Sequence, residues 1–216
     1  MNKKKALIFD FDGTIADSMI LEKTALVKTI NKYGIFNMTV ENIEDYFGPT
    51  ELGILQEILT NENEKEYWSY FLEEYKRLQP ELLTTFTGIE ELINSLKDKC
   101  SVFLVTGRSK ETLDISLSYL NIASAFIKTY TGSDLGINKD INIKKLLDEY
   151  HFDISDFLYI GDSLADIKTI HKINGDIISV GYRYSNEEDV RKLEEHNPNN
   201  VVLTVSELKE RLYQLL

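Results

Sequence analysis

The chain has a single cysteine, Cys100, so no internal disulfide framework can form and a reducing compartment is expected. Cys100 itself reads as a small residue leading into a buried strand. Positive charge is also scarce: 24 Lys and Arg stand against 36 Asp and Glu, a formal net charge of −12. That balance excludes nonspecific binding to nucleic acid or to an anionic membrane surface, because basic patches hold such partners. No apolar run approaches the roughly 20 residues of a membrane span. The first such run, in MNKKKALIFDFDG, is far too short for a signal peptide and is broken by two acids, so the cytoplasm is the expected location. Repeats and low-complexity segments are absent too. What is present is a globular composition, 43% hydrophobic and 11% aromatic. At 216 residues it can build one sizeable core, or one core with a smaller inserted module.

Strand-like runs recur at 6–9, 101–105, 157–160 and 177–180, with weaker ones at 126–129 and 201–203. Between them, GIEELINSLKDK, SKETLDISLSYLNI, NIKKLLDEYHF, LADIKTIHKIN and SELKERLYQLL carry apolar positions at helical spacing. Strands alternating with helices imply right-handed crossovers, a parallel sheet and helices on both faces, with sites at the carboxyl ends of the strands. The expected fold is therefore α/β, a three-layer Rossmann-like core. From about Ser18 to Thr85 the alternation gives way to helices only, and this all-helical insertion looks like a cap over the sheet's site. The expected division is a core of residues 1–17 and 86–216 with a cap of residues 18–85. Tyr67, Trp68, Tyr70, Phe71 and Tyr75 crowd one cap helix, where core between helices is the expectation rather than a ligand box.

In ALIFDFDGT, Asp10 and Asp12 stand one residue apart where the first strand meets a glycine turn. Side chains alternate along a strand, so residues one apart point the same way and both carboxylates can converge on one small volume. An acid at the end of a doubly buried strand is costly without a cation or hydrogen-bond donors. A plain acidic turn also explains the tetrapeptide. Three further strand ends complement the pair. Thr106, Gly107 and Arg108 follow SVFLV at a helix entrance, Lys139 lies in the Gly-rich GSDLGINKD, and GDSLAD supplies Asp162 with Asp166 one helical turn later. Each alone has an ordinary reading: turn and cap chemistry for Thr106, solvation for Lys139, a helix cap for Asp162 or Ser163. Arg108 is expected to be exposed. Together the four make an inventory for phosphoryl transfer, and an acidic protein acting on an anionic substrate needs the local positive charge that a carboxylate-held divalent cation supplies.

DFDGT, Thr106, Lys139 and GDSLAD resemble the four motifs of the haloacid-dehalogenase-like hydrolase superfamily. The length and position of the cap resemble its helical-cap branch, and FGPTELGIL with YKRLQPELLTTFTGIEEL is most similar to the phosphoglycolate-phosphatase-like group. The resemblance implies a Mg²⁺-dependent phosphatase of a small phosphorylated metabolite, phosphoglycolate-phosphatase-like or pyrophosphatase-like, acting as monomer or homodimer. By the same resemblance Asp10 is the nucleophile and Asp12 the general acid/base. Asp10, the Asp12 main-chain oxygen and Asp162 hold Mg²⁺, with Asp166 behind them. Thr106, Gly107 and Lys139 bind phosphate, and Gly48, Pro49 and Thr50 form the cap loop meeting the substrate. The motif neighbours depart from the family pattern: Gly107-Arg108 replaces an Asn-Lys pair, and Asp140 replaces a proline and is placed to pair with Lys139. Glu22 stands where mutase relatives have a histidine, which counts against a sugar-phosphate mutase. A non-catalytic phosphate-binding or receiver-like module is the remaining alternative. Phosphoglycolate, pyrophosphate, sugar phosphates and nucleotides all stay open as substrates. His151, His171 and His196 form no metal or catalytic pattern.

Overall fold

The computed structural model describes residues 3–34, 37–59, 61–133 and 138–216. In chain order its strands are β1 (Ala6–Phe9), β2 (Ala16–Asp17), β3 (Thr84–Thr85), β4 (Ser101–Val105), β5 (Lys128–Tyr130), β6 (Phe157–Gly161), β7 (Asp176–Val180) and β8 (Val201–Val202). The α-helices are α1 (Met19–Tyr33), α2 (Glu51–Ile58), α3 (Glu64–Leu82), α4 (Ile89–Leu96), α5 (Lys110–Leu120), α6 (Lys139–Tyr150), α7 (Leu164–Lys172), α8 (Glu187–His196) and α9 (Val205–Leu215).

Six strands form one parallel sheet in the order β5-β4-β1-β6-β7-β8. ALIF is apolar throughout because β1 sits at its centre, with Ala6 opposite Ser101 on one side and Phe157 on the other. Alternation along the strands divides the core in two. Leu7, Phe9, Leu104 and Ile160 face the layer that includes α1, α4 and α9, whereas Ala6, Ile8, Phe103 and Tyr159 face α6 and α7. Full burial of each such large side chain contributes about 1.5–3 kcal/mol. The architecture is the three-layer α/β core expected from the alternation. Cys100 enters β4 half-buried, and burial pushes its thiol up to about 11. The three histidines are exposed.

Helices α1, α2 and α3 follow β2, and the chain returns through β3, which pairs antiparallel with β2 (Ala16 with Thr85, Asp17 with Thr84). A helices-only reading of residues 18–85 therefore misses β3, whose two residues carry no periodicity to detect. The aromatic stripe of α3 packs as core: Tyr67, Phe71 and Tyr75 are buried at helical spacing, and Trp68 stacks on Phe71 at 5.1 Å. Two further boundaries differ from expectation. Helix α6 starts at Lys139, so the lysine belongs to a helix entrance, while residues 134–137 of GSDLGINKD lie outside the described residues. Helix α8 has no forerunner in the apolar pattern, since EEDVRKLEEH buries only Leu193. No described helix is long and apolar enough to cross a membrane.

Candidate active site

Asp10 follows β1 directly, and its backbone N–H donates to Ile160 O at 2.8 Å, so the β1–β6 register sets its position. Its Oδ1 accepts the Phe11 N–H at 2.8 Å and its Oδ2 accepts Lys139 Nζ at 2.7 Å. Burial pushes the Asp10 carboxyl up to about 7; Lys139 opposes this, and the charges of Asp166 and Asp12 add to it. Lys139 Nζ also donates to Asp166 Oδ1 at 2.7 Å. Burial alone would lower the pKa of this ammonium, but Asp10 and Asp166 together raise it well above the ordinary lysine value. Asp140 does not compete for Lys139, because its own partner is Lys172 at 2.8 Å.

Asp166 is fully buried and belongs to the cap of α7. Its N–H donates to Ser163 Oγ at 3.1 Å, while its Oδ2 accepts the Ser163 N–H at 3.2 Å. Burial pushes Asp166 up, but Lys139 and the Ser163 hydrogen bonds hold its carboxyl below the usual range. Ser163 thus caps the helix, and Asp162 faces the site. Burial carries the Asp162 carboxyl well above its usual range against the pull of Arg183, whose Nε forms an ion pair with Asp162 Oδ2. Gly13 has φ +71, and a Cβ there would collide with the Asp162 carboxylate, so only glycine serves in this turn. One carboxylate oxygen each from Asp10, Asp162 and Asp166 lies within 4.8 Å of the others. A buried, oxygen-only set of three carboxylates against two cations, Lys139 and Arg183, fits a hard divalent cation.

Thr106 is buried after β4, and its Oγ1 accepts the Arg108 N–H at 3.4 Å. Arg108 is not the exposed arginine that its neighbours suggested; it is 3% exposed. Its Nε donates to Asp12 Oδ2 at 2.9 Å, and its Nη1 donates to Ser116 Oγ at 3.1 Å and to the Tyr75 hydroxyl of α3. Its Nη2 faces Glu22 Oε2 at 3.7 Å and has no hydrogen bond. The second oxygen of Asp12 accepts from Ser18 Oγ. Burial, with Glu51 and Asp12 adding, pushes Glu22 up to about 8 against the pull of Arg108.

These groups share a cavity of about 250 Å³. Asp10, Asp12, Thr106, Gly107, Lys139 and Asp162 all line it from the sheet side. Gly48, Pro49 and Thr50 close it opposite, joined by Glu22 and Glu51. A larger cavity of about 480 Å³ lies at the amino ends of β6 and β7, where Lys4 is already paired with Asp176; none of the phosphoryl-transfer motif residues reaches it. The charged site residues that the motifs did not indicate are Arg183 and Glu51. Arg183 follows the end of β7, so the strand-end rule that selected the others also reaches it. Glu51 had no signal, since an acid in the first turn of a helix is ordinary.

Glu51 joins two layers. It is the first residue of α2 and is 1% exposed, and its Oε2 accepts the Ser109 N–H at 2.8 Å while its Oε1 accepts the Thr112 hydroxyl at 2.5 Å. A carboxylate on the amino end of α5 satisfies orphan donors and complements the helix dipole. Glu51→Ala is expected to lower unfolding free energy by about 1.5–3 kcal/mol, the range for a hydrogen bond to a charged group. Urea denaturation checks this, and a change within 0.5 kcal/mol, roughly the effect of a neutral surface substitution, would mean the contact does not hold α2 against α5.

The family model of haloacid dehalogenase-like hydrolases matches residues 7–180. A phosphoglycolate phosphatase of Aquifex aeolicus is 25% identical over 167 residues, 76% of this chain and 78% of its own. A 5′-nucleotidase of Pseudomonas aeruginosa is 22% identical over 212 residues, 95% of this chain and 94% of its own. Among solved structures, a predicted phosphoglycolate phosphatase of Haemophilus somnus superposes with a TM-score of 0.78 at 16% identity, covering 98% of this chain and 99% of its own. With the family model spanning β1 to β7, the chain belongs to the haloacid dehalogenase-like hydrolases.

Proposed function

We propose that this hydrolase cleaves small phosphate monoesters through a phosphoaspartate on Asp10, with Asp12 as general acid/base and Mg²⁺ as the cation. The observation that carries the reading is the Asp10 carboxylate at the cavity floor, held on one oxygen by Lys139 at 2.7 Å and on the other by the Phe11 N–H. A buried carboxylate fixed in this way is aimed and poor in water, as a nucleophile requires. The names of the Aquifex and Pseudomonas relatives bring the phosphoester.

In the first step an Asp10 oxygen forms a bond to phosphorus while the bond to the leaving oxygen breaks, and that oxygen takes its electron pair and a proton from Asp12. In the second, water attacks phosphorus, Asp12 takes the water's proton, and the bond from phosphorus to Asp10 breaks to free phosphate. Lys139 and the donors at Thr106 and Gly107 receive the negative oxygens. Asp10, Asp162 and the Asp12 main-chain oxygen would hold the Mg²⁺, which when bound neutralises charge between carboxylate and phosphate. Asp166, engaged by Lys139, Ser163 and Tyr159, positions the lysine and is not a ligand in this reading. Residues 18–85 act as the cap on a core of 1–17 and 86–216, with β2 and β3 as the paired strands at its base.

Purified protein is expected to release phosphate from members of a phosphorylated-metabolite panel with Mg²⁺, to stop after EDTA, and to recover on adding Mg²⁺ back. No release from any member, with no covalent phosphate trapped by acid quench, sinks the reading.

A further inference from the structure

The wall of the cavity away from Asp10 holds two polar groups that the protein leaves incomplete. Arg108 Nη2 is buried without a hydrogen-bond partner. The Glu22 carboxylate, among the described residues, has one close partner, that same Nη2 at 3.7 Å, too far for a hydrogen bond. A donor and an acceptor thus face each other across a gap that lines the site.

We propose that the substrate's leaving group carries a free hydroxyl that fills this gap, so that small hydroxyalkyl monophosphates are preferred over phosphorylated carboxylic acids; this rests on the phosphatase reading above. A hydroxyl accepts from Nη2 and donates to a Glu22 oxygen with one atom, and a carboxyl oxygen can accept whether or not Glu22 carries a proton. An alkyl group meets neither need and leaves the buried Nη2 unpaired. A carboxylate, unlike a hydroxyl, brings a further negative charge into a wall that already holds Asp12 and Glu51.

Placement agrees. Nε of the same guanidinium holds Asp12, the group that serves the leaving oxygen, so Nη2 reaches a substituent close to the ester bond. The cavity of about 250 Å³ has room for roughly eight waters at about 30 Å³ each. That space suits a phosphoryl group with a few carbons.

The test compares kcat/KM for glycerol 3-phosphate, propyl phosphate and 2-phosphoglycolate in the wild type, Glu22→Leu and Glu22→Gln. Glycerol 3-phosphate is expected to exceed propyl phosphate by about 10- to 100-fold, the effect of a hydrogen bond to a charged group, and to exceed 2-phosphoglycolate as well. The ratio to propyl phosphate should fall below about threefold in Glu22→Leu and be retained in Glu22→Gln, which still offers an acceptor. Equal rates on glycerol and propyl phosphates in the wild type, a preference for 2-phosphoglycolate, or a ratio unmoved by Glu22→Leu each overturn the proposal. Should Glu22→Leu fail to fold, the wild-type ratios decide. Should none of the three esters be hydrolysed, the metabolite panel and acid quench decide the phosphatase reading, and calorimetry with 3,4-dihydroxybutylphosphonate against butylphosphonate decides the hydroxyl site. Tenfold tighter binding of the diol supports it and equal affinity overturns it.

Discussion

Asp10→Asn is expected to lose at least about 10⁴-fold in kcat/KM, the scale seen when a nucleophile is removed and only binding and electrostatics remain. The amide has no charge to attack phosphorus, while its shape keeps the contact with the Phe11 N–H. Acid quench of the wild type with a good substrate should trap covalent phosphate, and the variant should trap none. Stability supplies an independent check. A carboxyl raised by burial from 3.8 to about 7 contributes stability that is full below pH 4 and lost as pH rises through 7. Without divalent cation, the denaturant midpoint of the wild type should therefore fall between about pH 4 and pH 7, and that of Asp10→Asn should fall less steeply. Near-normal turnover in the variant would remove Asp10 from the nucleophile's role. Parallel pH profiles would mean that Asp10 is not desolvated in solution.

The sheet was legible because its strands are continuous apolar runs, and runs such as ALIF and SVFLV have no other stable place than the middle of a parallel sheet. Asp10, Thr106 and Asp162 were legible for the same reason, since each directly follows such a run. Lys139 was found by its motif rather than by its element, because α6 opens with KDIN, whose one apolar residue, Ile141, is exposed, and so hides its own start. Helix α3 also runs past the point that Pro80 suggests: a proline two residues before the last removes one hydrogen bond, yet Leu83 N–H still bonds Gln79 O at 2.9 Å. What the sequence could not display is partnership across the fold. Arg108 reads as surface and Tyr75 as core by residue type, but tertiary contacts between α1, α2, α3 and α5 bring them together with Glu22 and Glu51. Their joint meaning exists only once α3 has placed a phenol against a guanidinium 33 residues away.

Lys139→Met is expected to cost about 3–5 kcal/mol of stability near pH 8 without divalent cation, the range for removing one partner of a buried ion pair. One ammonium serves two carboxylates here, each at 2.7 Å and both with almost no exposed side-chain surface. In the wild type Asp166 lies below its usual range, so its contribution is present above pH 4 and lost as pH falls through the lowered value. Without the lysine both acids stand desolvated: Asp166 loses the pull that holds it low and rises above its unfolded value of 3.8, and Asp10, already raised to about 7, rises further. Stability in the variant is then fully present below pH 4 and lost as pH rises. The gap between wild type and variant should accordingly be small near pH 4.5 and widest near pH 8, as read from urea midpoints at the two pH values. Turnover should fall by about 10²–10³-fold, since the group that receives charge on the transferring phosphoryl is gone. An equal stability loss at both pH values would show a packing defect rather than stranded charge. In that case Lys139 would be filling space between β1 and α7, and the neutralising role would pass to Arg183, the other cation on the cluster.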